Sequence, residues 1–459
     1  MPLKRFYDRE SEQEAIHEEL ELVKQTGSGR IAVITGRRRV GKTELIKRTL
    51  QCSEETFIYL FATRVSGRDL AREWMSEVRR AVGGTQEIPF EKPSQVIRFV
   101  IGLGQNQLIN LVIDECQDLG FAEPSFWSEL QRDWDLLSRQ SRVLLVMSGS
   151  SQFMMRSIFE EQDAPLYGRV GCFIHVEPFP PSVLLQVLSD CKPRRTGEDL
   201  LALYCLTGGV PWYVSVLMDQ GATDLESMSK AAFRNGSVFL MDGEILTSSD
   251  LRGESGLNRT LLKAMAGGIN RREVLQHLAD ESISGSLHRL ENQIGLIERD
   301  SPVLPKSMRK VRYRLKDRYL NFWFNFVLKN SARASLNDFK GMRRDFLNGY
   351  PEFAGRALEQ FFREKLAESH RFLTIGSWWD RKGTNELDLV AISDESKEAY
   401  FFEVKKNKEK YSEALLRLKV EAFLTANPAI RSYHVRIGGL STEDTLSSLE
   451  RILGKTVPF

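Results

Sequence analysis

Over about the first 190 residues, short apolar runs rich in β-branched side chains alternate with stretches whose apolar positions recur at helical spacing. The runs fall near 31–35, 57–61, 110–114, 142–148 and 172–176. Each has the length of a strand, and its unbroken apolar character is that of a strand covered on both faces. Alternation of this kind predicts an α/β fold on a mostly parallel sheet flanked by helices. From about 195 to 255 the strand pattern stops and the chain reads as helices alone, a candidate lid. Three short helical stretches follow, Asn258–Ala266, Arg271–Ala279 and Ile283–Leu290. Two strand-like runs come next, Leu296–Arg299 and Val311–Leu315. Three helices and a hairpin in that order are the pattern of a winged helix. The last block opens with a helix and passes through strands at Leu387–Ile392 and Tyr400–Val404. It closes with a helix and a strand around Ser432–Ile437. The expected divisions are 1–194, 195–255, 256–345 and 346–459.

The first predicted strand, Ile31–Thr35, runs straight into Gly36-Arg37-Arg38-Arg39-Val40-Gly41-Lys42-Thr43, and a helical stretch starts at Glu44. This is the spacing of a phosphate-binding loop in the strand–loop–helix setting its chemistry needs. Gly36 and Gly41 allow the backbone to turn with its N–H groups facing an anion, and the helix N-terminus adds partial positive charge. Residues Gly36 to Glu44 are therefore the candidate ATP-binding segment, with Lys42 directed to the β- and γ-phosphates and Thr43 to Mg²⁺. Leu111-Val112-Ile113-Asp114-Glu115 is an apolar strand ending in two carboxylates. Asp114 is the candidate on the metal side, and Glu115 is the candidate base that polarises water. A further strand, Arg142–Met147, ends at Ser148-Gly149-Ser150-Ser151, where a polar residue, with Ser148 the named candidate, could sense the γ-phosphate or simply close a turn.

Composition narrows the class without naming a partner. The chain has 459 residues, 42% hydrophobic and 27% charged, with a formal net charge of +2. Such values are ordinary for a globular protein of about three domains. Cys52, Cys116, Cys172, Cys191 and Cys205 are scattered without C-x-x-C spacing. This argues against a zinc site or a disulfide framework and fits a cytoplasmic protein. No apolar segment suggests a signal or a membrane span. The six histidines show no H-x-x-x-H spacing and are assigned no catalysis.

With these motifs in place, the chain resembles the archaeal-type AAA+ ATPases of the STAND group, which carry a C-terminal domain of unknown function. The resemblance covers nearly the whole chain. It rests on Phe6-x-x-Arg9-Glu10-x-Glu12, Gly36–Thr43, Leu111–Glu115, Pro165-Leu166-Tyr167-Gly168-Arg169, Gly208-Gly209-x-Pro211-x-Tyr213 and Tyr313-x-Leu315-x-Asp317-x-Tyr319-Leu320-x-Phe322-Trp323. It implies that Phe6 and Arg9 line the pocket of the nucleotide base, or else merely begin a solvated helix. It implies that Arg169 is an arginine finger or sensor acting in cis or in trans, the latter requiring self-association; the plain alternative pairs Arg169 with a carboxylate at the sheet edge. Gly208 and Gly209 would form a tight turn that packs the lid.

The last block resembles the restriction-endonuclease-like fold, whose signature is a helix carboxylate followed by D…[ED]-x-K on a hairpin. Glu359 lies on the expected helix Gly355–Lys365, Asp388 on the strand Glu386–Val390, and Glu403-Val404-Lys405 ends the strand Tyr400–Lys405. A strand's period of two puts Glu403 and Lys405 on one face, and a hairpin can bring Asp388 beside them. Glu359, Asp388 and Glu403 are the candidate ligands for Mg²⁺ or Mn²⁺. Lys405 is the candidate for orienting water and offsetting phosphate charge. Charged residues alternating on a half-exposed strand are the simpler alternative.

Between Lys306 and Asp345 stand twelve basic and three acidic residues. Such a stripe suits a phosphate backbone, so DNA is the expected macromolecular partner. A solvated charged face, or partners in the ATPase domain, is the other reading. Together these features point to an ATP-binding and ATP-hydrolysing switch coupled to DNA binding and, by its C-terminal domain, metal-dependent DNA cleavage. The competing reading is a non-cutting, ATP-gated regulator or scaffold that binds DNA or a protein.

Overall fold

The computed structural model describes residues 5–51, 55–83, 89–250 (248–250 by backbone alone), 256–269, 275–277, 282–304, 311–380 and 384–459. The chain forms two compact units, Asp8–Glu177 and Met1–Tyr7 with Pro178–Phe459.

The first unit is an α/β layer structure. Strands β1 (Arg30–Thr35), β2 (Thr56–Phe61), β3 (Ile109–Asp114), β4 (Val143–Gly149) and β5 (Cys172–His175) lie in the order β2-β3-β4-β1-β5, and every pairing is parallel. The five apolar runs thus become the five strands. The sequence reading's parallel sheet is present because β1, β3 and β4 are apolar at nearly every position and must be covered on both faces. Ile31, Val33, Leu111, Ile113, Val143 and Leu145 pack into one core with Trp74, Val78, Ile97 and Phe126 from the covering helices.

The second unit begins with helix Pro181–Cys191, which the sequence reading placed in the division 1–194, and continues with Gly197–Thr207, Pro211–Asp219, Leu225–Ala232 and Val238–Asp250, the region 195–255 read as a lid. Gly209 makes its central turn possible. Its φ is +75°, and a Cβ there would lie 2.2 Å from the carbonyl oxygen of Phe179. Phe179 N–H in turn donates to Gly209 O at 2.8 Å, so this turn binds the lid to the segment entering it. Gly209→Ala is expected to destabilise this unit by about 3 kcal/mol, from left-handed strain plus a clash with backbone that cannot yield. Thermal unfolding of the variant beside wild type measures it.

Downstream, helix Gly256–Ala266 and the short helix Ser284–His288 precede an antiparallel pair, β6 (Ile297–Asp300) and β7 (Arg312–Leu315). Of the helix expected at 271–279, only residues 275–277 are described. Helix Phe339–Ala367 then runs for 29 residues through Pro351 and across 345–346, where the sequence reading sets a domain boundary. Its buried face, including Phe346, Tyr350, Phe353, Ala357 and Phe361, keeps the helical period throughout, so nothing in the packing interrupts it.

A five-stranded mixed sheet completes the unit, in the order β12-β11-β10-β9-β8, with β8 (Thr374–Trp379), β9 (Glu386–Ser393), β10 (Glu398–Val404), β11 (His434–Leu440) and β12 (Val457–Pro458). β9 and β10 form the antiparallel hairpin expected from sequence, and β10 pairs parallel with β11. One face of the sheet (Leu389, Tyr400, Phe402) joins a core shared with the long helix and the lid helices. The other face (Val390, Ala399, Phe401) packs on helix Glu413–Ala426. Among the described residues no helix is long and apolar enough to cross a membrane.

Candidate functional site

The glycine loop leaves β1 at Thr35 and ends at Gly41, which caps helix Lys42–Leu50 without a side-chain hydrogen bond. The first amides of this helix are therefore not consumed by a capping side chain, the arrangement that favours an anion. Gly36 has φ +152°, and a Cβ on it would stand 2.5 Å from Val176 O, so no other residue fits. Lys42 is buried, and its ammonium donates to the loop's own carbonyls, Gly36 O at 2.8 Å and Arg37 O at 3.2 Å. Burial pushes its pKa down, against the opposing pull of Glu115 and Asp114. A buried ammonium held only by carbonyls gains by exchanging them for an anion.

Thr43 and Asp114 meet, as the sequence reading requires: the threonine hydroxyl donates to Asp114 Oδ2 at 2.7 Å. Tyr59, which the sequence reading did not single out, joins them. Tyr59 on β2 donates its hydroxyl to the same Oδ2 at 2.5 Å. Ser150, just beyond β4, donates to Glu115 Oε2 at 2.6 Å, and Gln117 Nε2 reaches that oxygen at 2.5 Å. Glu115 itself sits in the left-handed region with φ +52°, which turns its carboxylate off the line of β3. Ser148 is fully buried in the sheet, and among the described residues its hydroxyl has no hydrogen-bond partner. Contact with Glu115 is made by Ser150 instead. Hydroxyl and carboxylate oxygens at Thr43 and Asp114 are the hard donors that Mg²⁺ takes.

Two of the remaining nucleotide-side candidates, Arg169 and Arg9, have protein partners of their own. Arg169 forms a two-pronged pair with Asp135, Nε to Oδ1 and Nη2 to Oδ2 both at 2.8 Å, and also donates to Tyr167 O. These hydrogen bonds hold Asp135 below its ordinary carboxylate range. Arg9 is buried at the start of helix Glu10–Thr26, where it donates to Glu177 O at 2.5 Å and to Glu12 at 3.1 Å. Phe6 falls in the second unit.

In the second unit the hairpin brings Asp388 and the Glu403–Lys405 pair together. Asp388 Oδ2 accepts from Val404 N–H at 2.9 Å and from Lys405 Nζ at 3.1 Å, and Lys405 lies 2.8 Å from Glu403. Lys419, on helix Glu413–Ala426, grips both oxygens of Glu403 at 3.0 and 2.8 Å. No local pattern announces it, because the helix and the strand meet only in three dimensions. Burial opposes ionisation of Glu403, yet the two lysines outweigh it and hold its carboxyl below the ordinary value. Glu359 lies on the long helix and lines a cavity of about 810 Å³ with Lys405, Arg356, Lys406, Lys408 and Glu198. Among the described residues no three His, Cys, Asp or Glu side chains form a metal-binding group. Two carboxylates on one ammonium are still sufficient in kind for Mg²⁺, which commonly takes one or two carboxylates and completes its shell with water and substrate oxygens.

Glu359 has its pKa pushed up from 4.5 to about 8, first by burial and then by Asp388 and Glu386. Folding thus strengthens its hold on a proton. Stability is complete below the unfolded value, falls as the pH climbs from 4.5 towards 8, and stays reduced above it. Glu359→Gln is expected to match wild type at pH 4 and to exceed it by roughly 2 kcal/mol at pH 9, read from denaturant midpoints at the two pH values.

Four arginines of the basic stripe are engaged inside the unit. Arg312 pairs with Glu386 at 2.6 Å and lies 4.0 Å above the Trp379 ring. Arg314 pairs with Glu298, Arg333 with Asp338 and Asp345, and Arg343 with Glu226. Lys306, Arg309 and Lys310 lie outside the described residues. These four arginines find their partners within the second unit, where the sequence reading looked to the ATPase domain.

Residues 6–217 match the family of ATPase domains predominantly from Archaea, and residues 323–415 match a family of archaeal and bacterial proteins of unknown function. An uncharacterised protein of Methanocaldococcus jannaschii is 26% identical over 412 residues, 87% of each chain. Among solved structures, a Walker-type ATPase of Pyrococcus abyssi superposes with a TM-score of 0.53 at 18% identity, covering 70% of this chain and 97% of its own. The ORC2 protein of Aeropyrum pernix, in ADPNP–ADP complexes, gives 0.52 at 16% identity, covering 73% and 96%. At these identities the likeness is one of fold. An archaeal-type P-loop ATPase domain thus occupies the N-terminal part of the chain, and a separate mixed sheet lies towards its C-terminus.

Proposed function

We propose that the protein is an ATP-hydrolysing switch whose nucleotide state governs a DNA-binding and DNA-cutting C-terminal part. The observation that carries the nucleotide half is the meeting of Lys42, Thr43 and Asp114 at an uncapped helix N-terminus behind a glycine loop. Lys42 binds the β- and γ-phosphates, Thr43 and Asp114 hold Mg²⁺, and Glu115, steadied by Ser150 and Gln117, orients the attacking water. Mg²⁺ supplies charge neutralisation on the phosphate oxygens. Phe6 and Arg9 at the base, Ser148 as sensor and Arg169 as finger remain part of this reading; Arg169 serves as a finger only on leaving Asp135.

Support for the C-terminal half is the convergence of Asp388, Glu403 and Lys405 beside the cavity that Glu359 lines. Asp388 and Glu403 would hold Mg²⁺ or Mn²⁺, with Glu359 on the long helix the remaining candidate ligand; the ion would supply an activated water, and Lys405 would face the scissile phosphate. The region 256–345, with the β6–β7 hairpin as its wing, is a winged helix that contacts DNA through the basic stripe. One observation favours the alternative of a non-cutting regulator: Glu403 is already neutralised by two lysines.

The deciding experiment titrates magnesium ATP into wild type and into Lys42→Ala in a calorimeter, and follows phosphate release by both. Heat and turnover in wild type alone are expected. Equal behaviour of the two proteins, or no heat from wild type, overturns the nucleotide reading.

A further inference from the structure

Asp114 is held from a direction that the loop and its own strand do not supply. On β3, Ile109, Leu111 and Ile113 point into the core, which leaves Asn110, Val112 and Asp114 on the opposite face. On β2, Ile58 and Leu60 do the same, so Tyr59 shares the face of Asp114. The parallel register sets Tyr59 opposite Val112 and Phe61 opposite Asp114. Tyr59 is therefore a diagonal neighbour of Asp114, a separation that only a long side chain closes. Its hydroxyl closes it, donating to Asp114 Oδ2 at 2.5 Å beside the Thr43 hydroxyl at 2.7 Å. The other oxygen, Oδ1, accepts the N–H of Glu115 at 3.0 Å. The ring is steadied from the helix after the loop, where the Lys47 ammonium lies 5.0 Å from its centroid.

Three donors thus fix one carboxylate. The two hydroxyls use the in-plane acceptor positions of Oδ2, while Oδ1 keeps one free. A threonine hydroxyl that donates its proton to Asp114 has its lone pairs left for a cation. We infer that Tyr59 is a positioning residue for the Mg²⁺ site: it fixes the Asp114 carboxylate so that the Thr43 oxygen and Asp114 Oδ1 present a preorganised pair of hard donors. Among the described residues the hydrogen bonds of its hydroxyl involve the side chains of Asp114 and Thr43, so its effect falls on the metal and not on the grip of the nucleotide. Groups that orient a metal ligand commonly change metal affinity 10–100-fold when removed.

This inference rests on the ATP reading above and is separable from it. Tyr59→Phe removes one oxygen and keeps the ring. Calorimetric titrations of ATP into wild type and Tyr59→Phe, in EDTA and across a Mg²⁺ series, are compared with thermal melts of both. The variant is expected to melt with wild type and to bind ATP in EDTA within about twofold. Its Mg²⁺ requirement for tight ATP binding is expected to rise about tenfold. An unchanged Mg²⁺ requirement overturns the inference, as does an equal loss of affinity with and without metal, which is the mark of a structural role. If wild type binds no ATP in any titration, the nucleotide reading itself has failed, a result distinct from either.

Discussion

Lys42→Ala is expected to abolish detectable ATP hydrolysis, a loss of at least about 100-fold, with nucleotide affinity falling as well. The size follows from where the ammonium sits. It is buried and held by the Gly36 and Arg37 carbonyls, so it reaches phosphate oxygens from within the protein, where screening by water is weak. Removing one preorganised donor that meets charge developing in a transition state costs about 10²–10³ in rate. The fold should survive, because the variant loses a desolvated charge that lacks a carboxylate bonded to it and keeps every apolar contact of Leu45, Ile46 and Leu50. Circular dichroism and a melting curve check this, and phosphate release measures the effect. A variant that turns over like wild type would remove the basis for the switch.

The second large effect is expected at Asp388. Asp388→Asn should lower Mn²⁺-dependent nicking of DNA by about 100-fold or more while leaving ATP hydrolysis unchanged. An asparagine oxygen can still accept from Val404 N–H, so the hairpin keeps its register. What disappears is one of the two charges on Lys405, and with it half of the anionic donor pair. Burial and the neighbouring Glu403 already push the Asp388 carboxyl above its ordinary value, so a cation beside it would stabilise its charge. Nicking is read on supercoiled plasmid with wild type, Asp388→Asn and Lys42→Ala in parallel. If wild type binds DNA with a salt dependence but never nicks, the regulator reading replaces the nuclease.

Charge counting along the chain was a poor guide to the surface, and the reason is specific. Twelve basic residues between Lys306 and Asp345 look like a footprint for DNA when only their own segment is considered. Glu386 stands 74 residues from Arg312, and Glu226 more than a hundred before Arg343, yet each closes an ion pair. A net charge computed over a window cannot contain partners that lie outside it. The helix Phe339–Ala367 carries the same lesson for boundaries. A change of character near residue 346 marks where new neighbours begin, while the helix passes through on its own periodicity.

The sequence by itself determined what is contiguous: the five strands of the parallel sheet, the loop from Gly36 to Thr43 with its helix, and the β9–β10 hairpin bearing Asp388 and Glu403. In each, the chemistry depends on residues a few positions apart or one tight connection apart, so periodicity and spacing encode it directly. The tertiary structure alone decided which side chains meet across distance. Tyr59 reaches Asp114 over 55 positions, Lys419 closes on Glu403 from a separate helix, and Arg169 lies against Asp135. Those meetings are set by strand order, register and helix packing. These depend on how the apolar faces of the whole chain are buried together, and no local window of sequence holds that information.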